Sequence, residues 1–431
     1  MSTKIQNILS RMILDSRGFP TIEAEVHLSD GSKGRACVPS GASTGDKEAL
    51  ELRDSNKAWM GKGVFGALNN IEKKIKPRLI GKSPFEISNI DKTMLDLDGT
   101  PNKSILGANA ILSVSLANVR AGAASKKQAL FSYIQRSIGK ITNNNKILMP
   151  RPMMNILNGG SHADNNVDIQ EFMIVPNKFS SYSDALRAGT EIFHHLKLLL
   201  KSRKHSTAIG DEGGFAPSLK NNAEAIELIL DAIEKSDYQA GKDIYIALDV
   251  AASEFYNKKN QKYILESDKR ELSSEQLIDY YKDLCAHYPI ISIEDGLDQN
   301  DWKHWKMLNK QIGERVQIVG DDLTVTNPQL LARAIKEKAM NAILIKLNQI
   351  GTFTETIESI NMAQKNNLGV IVSHRSGETE DTFISDLAVA TSAAQIKTGS
   401  LCRTDRTSKY NQLLRIEEMC DAEYASFILN D

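Results

Sequence analysis

Short apolar runs alternate with segments of helical spacing through the second two-thirds of the 431-residue chain. IYIAL, IISI, VQIV, AILI, VIV and AAQI are continuous apolar stretches, as strands buried on both faces require. Between them, Ile226, Ile229, Leu230 and Ile233 fall at i, i+3, i+4 and i+7 within Glu224 to Lys235, and Leu277, Tyr280, Tyr281 and Leu284 repeat that spacing. Ser273 with Gln276 forms a capping box, and Asn327 before Pro328 sets an N-cap and a first helical position. Run, helix, run is the signature of parallel strands joined by crossovers, and its repetition predicts a (β/α)8-type, TIM-like barrel.

The amino-terminal part reads differently. Thr21 to Leu28 alternates strictly, with Ile22, Ala24, Val26 and Leu28 on one face, and Asp30-Gly31 turns the chain into a hairpin. Helical material is predicted over Val64 to Ile80 and Ser104 to Lys126. The run ITNNNKILMPRP, Ile141 to Pro152, punctuates the chain with asparagines and prolines. The predicted class is therefore α/β, with a smaller α+β amino-terminal (capping or lid) domain over residues 1–140 and a catalytic barrel over 141–431.

Each predicted barrel strand ends in a functional group: Asp249, Glu294, Asp321 with Asp322, Lys346, His374 with Arg375, and Lys397. From Glu294 onward the tips follow one another at intervals of 23 to 28 residues, about one βα unit each. A closed barrel gathers such tips around one mouth. Asp249, Glu294 and Asp321 read either as caps of the following helices or, as a convergent series, as hard oxygen ligands that suit Mg²⁺ better than zinc. Lys346 and Lys397 read as barrel-interior lysines paired with those acids, or as a cation pair in which one member is lowered enough to act as a base. Glu212 in GDEGGFAP and Glu171 beside Gln170 in NVDIQEFMIVP are candidate proton donors, Glu212 through a pKa raised by neighbouring acids. His162 in NGGSHADNN is taken only with its neighbours. Arg375 and Ser376 match phosphate oxygens, with His374 on that same side. SGASTGDKE reads as a mobile loop or a plain linker.

Composition narrows the partners. Charged residues make up 25% and the net charge is −1, so no global field favours nucleic acid or a membrane surface, and any anionic ligand needs a local site. Four dispersed cysteines without a C-x-x-C pair argue against a disulfide framework or a zinc ribbon. The first residues carry no apolar h-region and no apolar run approaches the ~18 residues of a span. The expectation is a soluble cytoplasmic protein, with a secondary cell-surface or secreted pool left open.

These stretches together resemble the enolase family, which interconverts 2-phosphoglycerate and phosphoenolpyruvate in glycolysis and gluconeogenesis. The likeness runs through ILDSRGFPT, VPSGASTG, NGGSHADNNVDIQEFMI, GDEGGFAP, SIEDGLD, VGDDLTVTNP, ILIKLNQIGT, SHRSGETED and QIKTGS, and SHADNNVDIQEF is closer to the bacterial branch than to the animal one. The resemblance implies a hydro-lyase whose first barrel strands break the parallel rule. It implies two Mg²⁺ per active site when substrate is bound, the first on Asp249, Glu294 and Asp321, the second met by Ser43. Lys346 is then the base at C2, Glu212 the acid at the C3 hydroxyl with Glu171 assisting, and His162, Gln170, Arg375, Ser376 and Lys397 the substrate contacts. A homodimer or octamer is implied as well, with scaffold partners left open and no intrinsic nucleic-acid site. Phe19 and Ala394 depart from the family pattern without touching a chemical group. The rival readings are a barrel enzyme of the same superfamily acting on a substrate without phosphate, and a scaffold protein without catalysis.

Overall fold

The computed structural model describes residues 3–42, 44–139 and 147–425. Strands β1 (Ile5–Leu14), β2 (Pro20–Leu28) and β3 (Lys33–Cys37) form the expected antiparallel meander. The turn between β2 and β3 closes with the Gly31 N–H donating to the Leu28 carbonyl at 3.0 Å, with Gly31 at φ +87°. The chain is helical from Phe65 to Leu79, loosened to a π turn over Ile71–Ile75 just ahead of Pro77. A proline without an N–H, crowding the carbonyl four residues back, accounts for the widening.

A helix over Ile87–Asp98 follows that was not expected, and the helix expected from Ser104 begins at Ala108. The N–H groups of Ile105 and Leu106 donate to Asp98 Oδ2 and that of Ser104 to Thr100 Oγ1, so this stretch is a side-chain-bound turn, ended by Gly107 at φ +93°. The helix lies so close on β3 that a Cβ at Gly34 would sit 2.1 Å from the Ala121 nitrogen, and only glycine fits there.

The carboxyl-terminal part contains the barrel. After β4 (Leu148–Met149) come β5 (Arg151–Asn158), β6 (Glu171–Pro176) and β7 (Ile244–Asp249). A small antiparallel sheet of β8 (Tyr256–Asn257), β9 (Lys262–Leu265) and β10 (Arg270–Leu272) stands between β7 and the remaining barrel strands. Those are β11 (Ile290–Glu294), β12 (Gln317–Gly320), β13 (Ala342–Ile345), β14 (Gly369–Ser373) and β15 (Gln395–Lys397), and β16 (Glu423–Tyr424) returns to pair with β4. The eight strands close in the order β11-β12-β13-β14-β15-β5-β6-β7. All neighbours are parallel except around β6, which runs against both β5 and β7. The predicted boundary between residues 140 and 141 lies outside the described residues.

Met153, Met173, Ala247, Val319, Leu344 and Ile371 pack inside the barrel as a cluster separate from the main core. A polar group shares that interior: Gln395 Nε2 donates to Gln317 Oε1 at 2.7 Å and Gln317 Nε2 to Ser292 Oγ at 3.0 Å. Ser292 and Gln395 lie two residues before Glu294 and Lys397, on the same strand faces. The inward side of the barrel therefore becomes more polar toward its mouth.

The two parts of the chain are joined at the start of the helix Phe353–Lys365. Its N-cap Thr352 accepts from the Glu355 N–H, while the Phe353 and Thr354 N–H groups donate to Ser115 and Asp91 of the amino-terminal part at 3.0 and 2.9 Å. The orphan donors of the first turn are thus satisfied across the interface. Burial pushes the Asp91 carboxyl up to about 6, against three donors from Ser115 and Thr354 that pull it down. Between about pH 4 and that value the folded chain holds a proton that the unfolded chain has lost, so Asp91 favours folding below the window and that contribution is lost as pH rises through it. Asp91→Asn should remove the effect. In urea unfolding, the stability difference between wild type and variant should move by ~2 kcal/mol toward the wild type on going from about pH 7 to about pH 4.5; a difference independent of pH would reject this reading of Asp91.

Candidate active site

The barrel mouth is where the strand ends bring their polar groups together. Asp249, Glu294 and Lys397 are the last residues of β7, β11 and β15, and Asp321 and Lys346 directly follow β12 and β13. Glu171 is the first residue of β6, and it reaches the same rim because β6 is reversed. It pairs in register with Asn158 on one side and Asp249 on the other. Sequence reading missed β5 and β6 as strands: RPMMNILN is broken by polar residues and EFMIVP carries its functional group at the wrong end for a parallel strand.

Lys397 is the electrostatic centre. Its Nζ lies 2.7 Å from Asp249 Oδ2, 2.9 Å from Glu294 Oε1 and 3.3 Å from Glu171 Oε1, and the side chain is 2% exposed. Burial alone would lower its pKa, yet the carboxylates of Asp249, Glu171 and Glu294 hold it well above the usual lysine value. Lys346 is in the same position. Burial is outweighed by a direct contact with Asp321 Oδ2, and its pKa rises. Lys397 does lower Lys346, but the acids outweigh it at both sites, so the expectation that one lysine is left lowered enough to act as a base is corrected for the resting chain.

Asp321 is fixed from three directions. Gln349 Nε2 donates to Oδ1 at 2.8 Å, Lys346 holds Oδ2, and the Asp321 N–H donates to Asp295. Asp295, at φ +44°, also accepts the Asp322 N–H, so one strained residue orients the acidic pair. Burial, with Asp321 beside it, pushes Asp322 up to about 8.

On the other side of Lys397 sit two buried glutamates. His162 Nδ1 lies 3.5 Å from Glu171 Oε1 and 3.7 Å from Glu212 Oε1. Burial and then the Glu212 charge raise Glu171 well above the carboxylate range. Burial would raise Glu212 too, but His374 and His162 beside it, with the Arg406 charge behind, hold it well below. The raised pKa expected for Glu212 belongs to Glu171 instead. Glu212 Oε2 accepts from Asn155 Nδ2 at 3.0 Å and faces His374 Nε2 at 3.3 Å. His374 thus joins the acid side of the mouth, not the side of Arg375 and Ser376.

Those two residues meet the loop read as a lid or linker. Arg375 donates to Glu48 from Nη1 at 2.9 Å and from Nη2 at 3.1 Å, and the Ala42 N–H donates to Ser376 Oγ at 2.7 Å. Ser43 lies outside the described residues. Gln170 Nε2 donates to Asp249 Oδ2 at 3.4 Å, and the structure brings together the other candidate catalytic, substrate and metal residues read from the sequence. Those that sequence reading missed are Asp295, Asn155, Glu48 and Arg406. Asn155 had a signal, a polar residue inside an apolar stretch. Arg406 had none, because it comes from the helix Thr404–Met419, far along the chain from the strand tips.

The site also suits a hard cation. Glu294 Oε2, Glu171 Oε2 and Gln170 Oε1 are buried without a hydrogen-bond partner, and Asp295, Asp321 and Asp322 each offer an oxygen within 4.8 Å of the others'. Unsatisfied buried oxygens and an all-oxygen carboxylate set fit Mg²⁺ in preference to a thiolate- or imidazole-seeking metal. Among the described residues no helix is long and apolar enough to cross a membrane.

Comparison with protein-family models gives two matches in chain order: the model described as enolase, N-terminal domain, over residues 5–134, and that described as enolase, C-terminal TIM barrel domain, over residues 146–428.

Lys397→Met would leave three carboxylates buried without their cation. It should cost ~3–5 kcal/mol in denaturant unfolding, part of which Asp249→Asn recovers in the double variant; a Lys397→Met chain as stable as the wild type would show that Lys397 does not carry this charge.

Proposed function

Because the chain belongs to the enolase family, whose members are lyase-type enzymes, we propose that it catalyses the reversible dehydration of 2-phosphoglycerate to phosphoenolpyruvate. The observation that carries this reading is a single cavity lined by Lys346 and Lys397, the glutamates Glu171 and Glu212 whose surroundings push them in opposite directions, and the Arg375–Ser376 pair. Base, acid and anion holder are the three parts that removal of a proton beside a carboxylate and loss of a neighbouring hydroxyl require.

Asp249, Glu294 and Asp321 would hold one Mg²⁺, and Ser43 would meet a second. Bound there, the ions would take up the Asp321 charge that keeps Lys346 protonated and would neutralise the negative charge building on the substrate carboxylate. Enolase-superfamily sites are a known instance of a lysine or histidine base working with one or two Mg²⁺.

The remaining work falls to side chains. Lys346 Nζ takes the C2 proton. Lys397, already placed among carboxylates and unable to lose its proton there, holds the carboxylate of the substrate while charge accumulates. Glu171, the carboxyl that burial and the Glu212 charge push up, supplies the proton that Glu212, held low at rest, passes to the C3 hydroxyl as it leaves as water. Arg375 and Ser376 receive the phosphate, exchanging the Glu48 and Ala42 contacts for phosphate oxygens, while His162 and Gln170 line the same mouth. Burial of the site strengthens each of these interactions.

The reading includes a homodimer or octamer in the cytoplasm, which a sizing measurement would resolve. Incubation with 2-phosphoglycerate and Mg²⁺ should raise the enol ultraviolet absorbance, and chelation of the metal should stop it. No rise above background would reject the function in favour of another superfamily substrate or a scaffold role. Lys346→Ala should lower turnover by ~10³-fold or more with the fold intact, and substantial residual turnover would place the base elsewhere. Ser43→Ala should mainly raise the Mg²⁺ needed for half-maximal rate, and an unchanged requirement would argue against its metal role.

A further inference from the structure

Arg406 is completely buried and none of its contacts is with solvent. Its Nη1 donates to the Arg375 carbonyl at 2.7 Å, and its Nη2 to the carbonyls of Ser376 at 2.6 Å and Asp211 at 3.2 Å. The guanidinium therefore ties the loop before Glu212 to the segment after β14. The remaining contact of Nη1 is with His374 Nδ1.

A guanidinium has five donors and no acceptor. Nδ1 must then be the acceptor, and a neutral imidazole that accepts at Nδ1 carries its single proton on Nε2. Burial, with the Arg406 charge adding to it and Glu212 opposing, holds His374 down to about 3, so the ring is neutral near neutral pH. Its Nε2 points at Glu212 Oε2, which also accepts from Asn155 Nδ2. Two donors on Oε2 leave Oε1 as the free oxygen, on the side of His162 Nδ1, with His162 and Glu171 close by.

We propose that Arg406 is a positioning residue for Glu212: it fixes His374 as the Nε2–H tautomer, so that His374 donates to Glu212 Oε2 and Oε1 becomes the oxygen that exchanges a proton with the substrate. In this arrangement His374 neither gives nor takes the transferred proton. The catalytic part rests on the reading of Glu212 as the acid at C3, whereas the tautomer does not depend on any substrate.

The tautomer is read directly from the long-range proton–nitrogen spectrum of the folded wild-type chain labelled with ¹⁵N-histidine, with the His374 signals identified by their loss in His374→Gln. Nδ1 should appear bare and Nε2 protonated; a proton on Nδ1, alone or together with Nε2, would overturn the proposal. Arg406→Met should mix the tautomers and lower kcat for 2-phosphoglycerate by ~10-fold or more, while KM stays within ~3-fold. A folded Arg406→Met chain that keeps both the tautomer and kcat would also overturn it. If that variant does not fold, a second pair decides the catalytic part: His374→Gln still offers an N–H to Glu212 and should keep kcat within ~10-fold of wild type, whereas His374→Leu should lose ~100-fold. Equal losses would mean that His374 acts as more than a fixed donor. A wild-type chain that does not turn over 2-phosphoglycerate would reject the proposed function, yet the nitrogen spectrum would still decide the tautomer.

Discussion

Three carboxylates converge on one ammonium group in a place that water hardly reaches, and the rest of the mouth is arranged around that convergence. At an effective dielectric near 20, each contact of Lys397 near 3 Å amounts to about 5 kcal/mol, while removing each ion from water costs several. The balance is close to neutral, so the cluster specifies an arrangement more than it stabilises the fold. Asp249, Glu171 and Glu294 sit at the tips of adjacent strands, and their register fixes how near they come. The amide and hydroxyl side chains of Gln395, Gln317 and Ser292 beneath them continue that polarity into the barrel.

The same cluster separates the tasks of similar groups. Glu171 and Glu212 are both buried and both near His162, yet one is driven up and the other down. At Glu171 burial and the Glu212 charge outweigh Lys397, whereas Glu212 is surrounded by two histidines, an asparagine and, one step further, an arginine. Two carboxyl groups whose environments push them apart can divide proton storage from proton delivery. The lysines differ as well: Lys397 is shared among three acids, and Lys346 touches Asp321 with the Glu294 charge further off, so the latter depends chiefly on one partner that a cation could claim.

Much of this was legible in the chain because the barrel repeats one physical rule. Buried parallel strands must be apolar, so a charged residue that ends such a run shows itself, as Asp249, Glu294, Lys346 and Lys397 do. The capping box at Ser273 and the Asn327–Pro328 start appear as read, since caps are local. What was not legible depends on contacts between distant parts. The lowering of Glu212 comes from His374 and Arg406, and nothing in GDEGGFAP announces either. The lysine shifts were misjudged because spacing shows which cations share a mouth but not which acid each one touches. The helix predicted from Ser104 starts four residues later because Asp98 captures the N–H groups that would have continued it.

The reversal of β6 also bears on how the chain can change in length. Loops at a barrel mouth usually absorb insertions, because the helix that follows can shift to accommodate them. Between β5 and β6 the described chain has only a 3-10 turn over Gly160–His162, and both ends of the connection are fixed by the pairing of Asn158 with Glu171. A strand slipped by one residue turns every side chain to the opposite face, which would point Phe172 into the mouth and Glu171 away from it. Length variation among homologous chains should thus be scarce across Gly159–Gln170 and more freely accepted in the β8–β10 meander, whose pairing is independent of the barrel's register.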